Sequence, residues 1–449
     1  MVLYFEYIWL DENSEIRSKT RILRFEEMEN KSVSLKTIPK WSYNSSEVES
    51  SNTRLYNEVE LRPVALFKNP FSNNLQHIMS FLVLCETWYK TNKPFKGNDR
   101  TYAERAFKHN PLSKPTFGFE QEFYITKAFP LSQGIVLNVP IAFSLDDDVS
   151  IIKQDDYYCG NGGDRIYGRE FVNEVFELSI RAGLFVRDFN PSTGPAQWKI
   201  HIKDEGLSAC DQLIILRYIL LRTSEKYGYT ISFHPALMRK NETIARTFIK
   251  MLSNHPTHSE NISSIPKARN YLKKTIGIWN GSSCCVNFST FLTLPPNGFL
   301  KIQEIISNLK KTHTDYISET GTDNHMRLIG LDNTSSYYTF SSSIDDTNVS
   351  INIPFDTHDK KGGEIQDRRP GANMNPYKVC ASIFIFGILD NLSSDERINY
   401  SNIITSISDG LLHESSEEND ETNTSDNSHT EMKQDSETSD NDSTSNSSS

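Results

Sequence analysis

The sequence predicts an α+β fold in which helices pack outside an antiparallel sheet, and three observations support this class. The first is a β-hairpin pattern near residue 1, where apolar residues alternate over 3–10 and a polar turn precedes 16–23. The second is the succession of strand-like alternation and helical periodicity from residue 101 onward. The third is the length, because 449 residues suffice for a large buried core and two domains.

The segment 1–95 is predicted to form a small, mostly β domain. Apolar residues at 3, 5, 7 and 9 share one face of the first strand, and residues 11–14 supply the turn of the hairpin. A further strand is expected at 62–67, before the Asn-Pro break at 69–70, and a short helix at about 75–89.

Residues 96–405 are predicted to form the larger domain. Strand patterns occur at 118–125, 197–202 and 350–353, and helical patterns at 169–182, 211–227 and 299–313. Residues 236–276 have the character of a basic insertion, with eight Lys or Arg against two acids. Apolar spacing at Ile244, Phe248, Met251 and Leu252 fits an amphipathic helix there. A solvated surface element and a docking site for the acidic tail both remain open for it.

The tail, residues 406–449, is predicted to be disordered. From 411 to 449 it holds eleven Asp or Glu, one Lys, eleven Ser and no aromatic residue, a composition that cannot bury enough apolar surface to fold. The first 410 residues then carry 46 basic and 47 acidic side chains. This balance gives the folded part no general attraction to nucleic acid, so no nucleic-acid partner is expected.

The sequence predicts a cytoplasmic protein without a membrane partner. Its longest apolar runs reach nine or ten residues, well short of the roughly 20 that a membrane helix needs. The first residues lack the basic region and small-residue cleavage site of a signal peptide. The six cysteines show neither a CxxC pair nor metal-ligand spacing, so reduced and mostly buried thiols are expected.

Six motifs occur in an order that resembles the eukaryotic-type glutamine synthetase family. They are EYIWLDENSEIRSKTRIL at 6–23, GFEQEF at 118–123, YYCGNGGDRIYGRE at 157–170, PAQW at 195–198, WNGSSCCVNFST at 279–290 and QDRRPGAN at 366–373. The resemblance covers most of residues 4–400. It implies an N-terminal β-grasp domain and a glutamine synthetase-type catalytic domain. It also implies a ring assembly and the ATP-dependent joining of glutamate and ammonia with Mg²⁺ or Mn²⁺.

The resemblance also implies two metal positions, and this chain departs from the family at four of the six ligands. The first position maps to Glu122, Ser192 and Lys199, and the second to Glu120, Cys285 and Gln366, where the family has carboxylates and one His. Glu120 and Glu122 are the remnants. An ammonium about 4 Å from a metal ion would repel it by several kcal/mol at an effective dielectric near 20. A zinc site on Glu120 and Cys285 has too few ligands for a tetrahedral set.

The resemblance also implies substrate-binding positions, and several of these are replaced in this chain. Leu294, Thr347 and Asn352 replace arginines of the family, and Asn333 replaces the Glu of its flap. Positions that match substrate or nucleotide contacts are kept at Asn280, Gly281, Asn287, Ser289, Arg327, Arg368 and Arg369. Residual ATP binding without turnover therefore stays open, although phosphate affinity depends on the missing Arg charges.

These departures predict a pseudoenzyme of the family with a structural or regulatory role. No catalytic residue, metal ion or cofactor is expected, and the partners are further copies in a ring or an active glutamine synthetase. Three alternatives remain open at this stage. They are an active glutamine synthetase using ATP with Mg²⁺ or Mn²⁺, a divergent γ-glutamyl ligase, and a purely structural ring or filament component.

Overall fold

Two β-sheets and the helices around them make up the described part of the chain. The computed structural model describes residues 1–27, 32–45, 58–72, 78–131, 134–143, 154, 156–254, 264–274, 281–331 and 333–389, with the backbone alone at 251–254, 264–266, 273 and 274. Contacts group residues 1–391 into one unit. The predicted boundaries at residues 95 and 405, and the β-grasp assignment, stay predictions. The predicted tail at 406–449 lies outside the described residues.

The first sheet has the strand order β2-β1-β5-β4-β3. Strands β1 and β5 run parallel, and the other neighbours are antiparallel. Alternate residues of β1 enter the core of this sheet, because Leu3, Phe5 and Tyr7 are fully buried. The predicted hairpin is therefore confirmed. The strands are β1 (Val2–Leu10), β2 (Ile16–Arg24), β3 (Trp41–Asn44), β4 (Glu58–Lys68) and β5 (Ile78–Trp88).

The helix predicted at about 75–89 is wrong, because β5 occupies Ile78–Trp88 at the centre of the first sheet. Residues 82–87 are buried without interruption. A strand covered on both faces loses the alternation that identifies a strand, and its short apolar run is then indistinguishable from a buried helical turn.

The second sheet is built around the long strand β6, which pairs with β9 on one side and β11 on the other. The order is β12-β13-β14-β11-β6-β9-β8, and β7 and β10 also pair with β6. All pairs are antiparallel except β12 with β13. The strands are β6 (Thr116–Pro130), β7 (Val136–Pro140), β8 (Val186–Pro191), β9 (Gln197–Glu205), β10 (Thr230–Ser232), β11 (Cys284–Ser289), β12 (Ser342–Ile344), β13 (Ile351–Ile353) and β14 (Ile365–Asp367).

Helices pack around this sheet as the α+β class predicts. The helix predicted at 169–182 is observed with the same limits, and it ends at Gly183 in the left-handed conformation that glycine favours. The helices are α1 (Asp99–Lys108), α2 (Arg169–Ala182), α3 (Gly206–Tyr227), α4 (Leu237–Asn254), α5 (Ser264–Lys274), α6 (Phe299–Lys311), α7 (His313–Ile317), α8 (Phe355–Asp359) and α9 (Pro376–Ile388). Among the helices of the described ranges, none has the length and apolarity needed to cross a bilayer.

The basic insertion at 236–276 forms a helical pair, α4 and α5, against β7. Ala245 and Phe248 of α4 and Tyr271 of α5 are buried in one cluster with Leu137 and Val139 of β7. The predicted helix is confirmed, with Phe248 buried and Ile244 packed against the cluster, whereas the side chains of Met251 and Leu252 lie outside the described residues. Charged side chains occupy the outer surface of the pair, where Lys240, Arg246, Lys250 and Arg269 are exposed.

Candidate functional site

The predicted site residues gather on one face of the second sheet. The registers place Glu122 opposite Lys199, and Glu120 opposite both His201 and Cys285. Side chains two residues apart on a strand share a face, so Glu120 and Glu122 point the same way from β6. Gln366 on β14 lies opposite Asn287 on β11. The antiparallel sheet thus brings together residues that are up to 246 positions apart in the chain.

Glu120 is surrounded by donors from three other strands. Its Oε2 accepts a hydrogen bond from Lys199 Nζ at 2.8 Å, while its Oε1 accepts from Asn287 Nδ2 at 3.2 Å and from Gln366 Nε2 at 2.6 Å. Burial alone would raise the pKa of Glu120, but the Lys199 ammonium and the neighbouring donors hold it below its usual value. Burial alone would lower the pKa of Lys199, and Glu120 raises it instead. The pair is therefore ionised, and it forms with Glu120 rather than Glu122.

Glu122 is satisfied by hydroxyl and backbone donors. Its Oε1 accepts from Ser192 Oγ at 2.5 Å, and its Oε2 accepts from the backbone N of Ser283 at 2.7 Å and from Ser283 Oγ at 2.8 Å. Together with the bonds to Glu120, this gives a donor to each of the four carboxylate oxygens. Both carboxylates are thus held by the protein itself.

Cys285 contributes a neutral thiol to this face. It is 4% exposed, its Sγ lies 3.5 Å from Ser283 Oγ, and burial raises its pKa. A thiol that stays protonated is a poor metal ligand, since the thiolate is the binding form. Burial also raises the pKa of the neighbouring Cys284 to about 12. All six cysteines are free and five are buried, as predicted, with Cys159 exposed.

The three retained arginines lie in different surroundings. Arg327 is buried, donates through Nη2 to the carbonyl of Arg369 at 2.6 Å, and has its pKa lowered to about 10 by burial. Arg368 donates to Gln366 Oε1 at 2.8 Å and to the carbonyl of Thr347 at 2.9 Å. Arg369 is fully buried, pairs with Asp367 at 2.7 Å and stacks on an aromatic ring. Arg369 therefore has the contacts of a core residue.

The residues at the other replaced positions bond to one another or to nearby backbone. Thr347 Oγ1 donates to Asn333 Oδ1 at 2.7 Å, and Asn352 Oδ1 accepts from the backbone N of Asp346 at 3.0 Å. Leu294 is 48% exposed. Asn280 lies outside the described residues, whereas Gly281 is described and borders the cavity of the site.

A cavity of about 410 Å³ opens beside the two carboxylates. Hydroxyl-bearing side chains form much of its wall, and Lys199, Arg327 and Arg368 reach it. Of the predicted positions, Asn287, Ser289, Asn352, Gln366 and Arg369 do not border it. The lining residues are Glu120, Glu122, Tyr158, Ser192, Thr193, Lys199, Gly281, Ser283, Cys285, Arg327, Asn333, Thr334, Thr347 and Arg368.

Further along the same face, an ion pair spans the sheet above Gly118 and Asn287. Lys203 Nζ on β9 donates to Glu364 Oε2 at 2.5 Å, and Glu364 directly precedes β14. The two strands are separated by β6 and β11. A Cβ atom at Gly118 would lie 3.0 Å from His201 Nε2 and 3.5 Å from Lys203 Cγ, so these side chains lie directly over the glycine. The bridge therefore covers the surface beside Asn287.

Sequence reasoning missed Ser283, Tyr158 and the bridge between Lys203 and Glu364. Ser283 lies within a quoted motif, and its distance of two residues from Cys285 would have placed it on the same face. Lys203 and Glu364 are 161 positions apart, so only the strand order brings them together.

Comparison with known proteins gives matches along most of the chain. Residues 98–246 match the family profile described as "Glutamine synthetase, catalytic domain". The chain is 32% identical over 407 residues to the glutamine synthetase of Mus musculus, covering 88% of this chain and 92% of the relative. It is 31% identical to that of Gallus gallus with the same coverage. It is 28% identical over 375 residues to that of Kluyveromyces lactis, covering 83% and 86%.

Proposed function

Because the chain belongs to the glutamine synthetase family, we propose that it is a pseudoenzyme of that family with a structural or regulatory role. The observation that carries the proposal is the set of donors around Glu120 and Glu122. In the ligand pattern implied by the resemblance, these two carboxylates hold separate metal ions. Here Lys199, Ser192, Ser283, Asn287 and Gln366 donate to them instead.

The donor set does not fit a divalent metal ion. Mg²⁺ and Mn²⁺ need oxygen atoms with free lone pairs in a near-octahedral arrangement. Gln366 donates from its NH₂ group to Glu120 and accepts through its carbonyl oxygen from Arg368, so both ends of the amide are already hydrogen-bonded. Ser192 donates its proton to Glu122. Metal binding would require these hydrogen bonds to break.

The ammonium of Lys199 makes the mismatch electrostatic as well as geometric. A unit charge about 4 Å from another interacts by about 4 kcal/mol at an effective dielectric of 20, and the charge of a divalent ion doubles that repulsion. Lys199 Nζ lies 2.8 Å from Glu120 Oε2, so a metal ion bound to that oxygen would lie close to the ammonium. The ion pair thus does locally what the metal would do, which is to neutralise Glu120.

The bridge between Lys203 and Glu364 supports the loss of nucleotide binding. Lys203 of the bridge lies over Gly118, which is opposite Asn287 in the sheet, and the resemblance assigns Asn287 to nucleotide contact. Leu294 offers no charge for phosphates. ATP binding to this face would have to displace a partly buried ion pair whose side chains are 29% and 30% exposed.

The role that remains is one of assembly or binding. The scaffold is retained over most of the length of the relatives, so contacts between subunits can persist when the chemistry does not. We expect the chain to form a homo-oligomeric ring or to join an active glutamine synthetase. Isolation from the native source, followed by a search for a co-purifying active synthetase, separates these two assemblies.

An active ligase is the alternative, and the identity to proteins named glutamine synthetase favours it. An ordinary glutamine synthetase and a γ-glutamyl ligase with another acceptor both need ATP and metal ions. Turnover of glutamate, ammonia and ATP above background, with Mg²⁺ or Mn²⁺ and the isolated chain, would overturn the pseudoenzyme proposal. Turnover with a different amine acceptor would favour the divergent ligase.

A restoration experiment tests the metal argument directly. The variant Ser192→Glu/Lys199→Glu/Cys285→His/Gln366→Glu returns the implied ligand set, and Mn²⁺ binding is measured by electron paramagnetic resonance of the free ion. We expect no stoichiometric binding by the unaltered chain and binding by the variant. The control is Lys226→Glu, an exposed position outside the site. Stoichiometric Mn²⁺ binding by the unaltered chain would contradict the proposal.

A further inference from the structure

A second cavity, of about 570 Å³, lies where the turn of the first hairpin approaches α3 and α4. Asn13 and Ser14 of the turn, Leu221 of α3 and Lys240 of α4 are among the residues that line it. None of the described residues on its wall borders the 410 Å³ cavity of the site. Its volume falls within the range of about 300–1,000 Å³ that is usual for small-molecule pockets. The second cavity is therefore large enough for a ligand of its own.

Arg217 of α3 connects this cavity to the face of the second sheet that points away from the site. Gln121 lies between Glu120 and Glu122 on β6, so its side chain points to the opposite face of the strand. Arg217 lines the second cavity, and its Nε donates to Gln121 Oε1 at 2.8 Å. A ligand in the second cavity would therefore approach the sheet from the side opposite to the site.

Arg217 is a buried cation to which the described part of the chain offers no carboxylate partner. It is 7% exposed, and besides Gln121 it donates to the carbonyls of Met374 at 2.9 Å and Ala372 at 3.0 Å. All three acceptors are uncharged oxygens, and burial lowers the pKa of Arg217. A buried charge without an opposite charge is costly, so an anion in the adjoining cavity would stabilise it.

The other fully or largely buried arginines of the second sheet show what such surroundings mean. Arg369 has the contacts of a core residue and pairs with Asp367 at 2.7 Å. Arg327 resembles Arg217, because it is 6% exposed, donates to backbone carbonyls and pairs with no carboxylate of the described residues. Arg327 borders the cavity of the site, at a position that the resemblance assigns to substrate contact. A buried arginine without a carboxylate thus marks a ligand cavity in one case, and Arg217 marks the second cavity in the same way.

The remaining charges on the wall leave an excess of positive charge. Lys240 is exposed, and its ammonium forms no ion pair within the described residues. Glu319 lies 3.7 Å from Lys378, so these two charges offset each other. Glu15 is exposed in the hairpin turn, and it opposes the two cations Arg217 and Lys240. This balance favours an anionic ligand.

Apolar side chains also line the second cavity, among them Ile214, Leu221, Ile231 and Phe233. The ring of Phe233 lies 5.5 Å from the guanidinium carbon of Arg217. A ligand with a carboxylate at Arg217 would therefore place its hydrocarbon part against apolar surface. An inorganic anion has no such part and would leave most of the cavity unfilled.

We propose that the second cavity binds a small organic carboxylate with a hydrocarbon body. The carboxylate accepts charge-assisted hydrogen bonds from Arg217 and is attracted by Lys240, while the body packs on the apolar wall. Lys240 belongs to the basic insertion, so the insertion supplies part of this binding site. The two cavities share no described lining residue, so the inference holds for an active ligase as well as for a pseudoenzyme.

The test is isothermal titration calorimetry of the full chain at pH 7 with hexanoate and 3-phenylpropionate. The uncharged probes hexanamide and 3-phenylpropionamide have the same hydrocarbon parts and serve as controls. We expect one carboxylate to bind per chain, and each amide to bind about tenfold or more weakly, because hydrogen bonds to a charged group are the stronger ones.

Variants then show which cavity holds the carboxylate. Arg217→Met should weaken binding about tenfold or more, and Lys240→Met about fivefold, since Lys240 acts through solvent-exposed charge. Lys240→Arg keeps the charge and should keep the affinity. Arg368→Met alters the cavity of the site and should leave the affinity unchanged. Circular dichroism checks that each variant is folded, and the exposed position of Lys240 keeps the test valid if Arg217→Met does not fold.

Three results would each overturn the proposal. They are the absence of binding by both carboxylates, equal binding of carboxylates and amides, and an affinity that Lys240→Met leaves unchanged. Loss of binding in Arg368→Met alone would place the carboxylate in the 410 Å³ cavity instead, which also overturns it. None of these results bears on the metal argument, because that argument concerns Glu120 and Glu122.

Discussion

The ion pair between Lys199 and Glu120 should contribute measurably to the stability of the site. Its side chains are 24% and 18% exposed, so the pair is mostly removed from water. Breaking a buried pair by deleting one partner costs about 3–5 kcal/mol, because the other charge remains buried and uncompensated. After allowance for the partial exposure, we expect Lys199→Met to lower the free energy of unfolding by about 2–4 kcal/mol at pH 7.

The dependence on pH has a defined sign. The pKa of Lys199 is raised, so its contribution is present at neutral pH and is lost only as the pH rises above the ordinary lysine range. The pKa of Glu120 is lowered, so its contribution is present above the ordinary value of about 4.3 and is lost as the pH falls through the lowered value. In Lys199→Met, burial of Glu120 without its cation favours protonation. The difference between variant and unaltered chain should therefore be smaller at pH 5 than at pH 7.

Urea unfolding followed by tryptophan fluorescence measures this difference. Lys226→Met is the matched control, because Lys226 also lies 2.8 Å from a glutamate but is 67% exposed. An exposed pair of this kind is worth at most about 1 kcal/mol. The double variant Glu120→Gln/Lys199→Met removes both charges and should recover most of the loss. If Lys199→Met costs no more than Lys226→Met, the ion pair does not hold this part of the site together.

Two further outcomes follow from the contacts of the site, and a third concerns Asp99 at the start of α1. Ser192→Ala removes the hydroxyl that donates to Glu122 at 2.5 Å and should lower the unfolding free energy by about 1–3 kcal/mol, measured by urea titration. Lys203→Ala/Glu364→Ala removes the bridge and should raise the affinity for a fluorescent ATP analogue in a titration, whereas an unchanged affinity would show that the bridge does not block the face. Burial raises the pKa of Asp99 to about 6, so its charge opposes folding above that pH. Asp99→Asn should stabilise the protein by about 2 kcal/mol at pH 7.5 and lose that advantage below about pH 4, as measured by thermal unfolding.

The elements whose apolar residues follow a strand or helix period could be predicted from the sequence. The hairpin shows alternation because Leu3, Phe5 and Tyr7 of β1 enter one apolar cluster, although Ile8 on the other face is buried as well. The helix Arg169–Ala182 shows helical periodicity and ends at a glycine. Strand β5 shows no alternation of apolar and polar residues, because it is covered on both faces. It can be identified as a strand only from its pairing with β1 and β4. Pairing between distant segments leaves no mark in a local pattern.

The site shows the same division between local and distant information. The motifs identify Glu120, Glu122 and Lys199 as members of one site, and the strand registers place them on one face. The motifs do not say which carboxylate the ammonium reaches, and the structure places Lys199 Nζ 2.8 Å from Oε2 of Glu120. The direction in which the Lys199 side chain extends along the sheet decides between Glu120 and Glu122. The sequence does not specify that direction.

The insertion that forms α4 and α5 shares its interior with strand β7. Phe248 and Tyr271 are completely buried against Leu137 and Val139, which precede the insertion by about a hundred positions. Deletion of the helical pair would therefore expose hydrophobic residues of β7 to solvent. An exposed apolar surface of this kind promotes aggregation. Any natural gain or loss of this segment must be accompanied by compensating substitutions in β7, so the two stretches are expected to evolve as one piece.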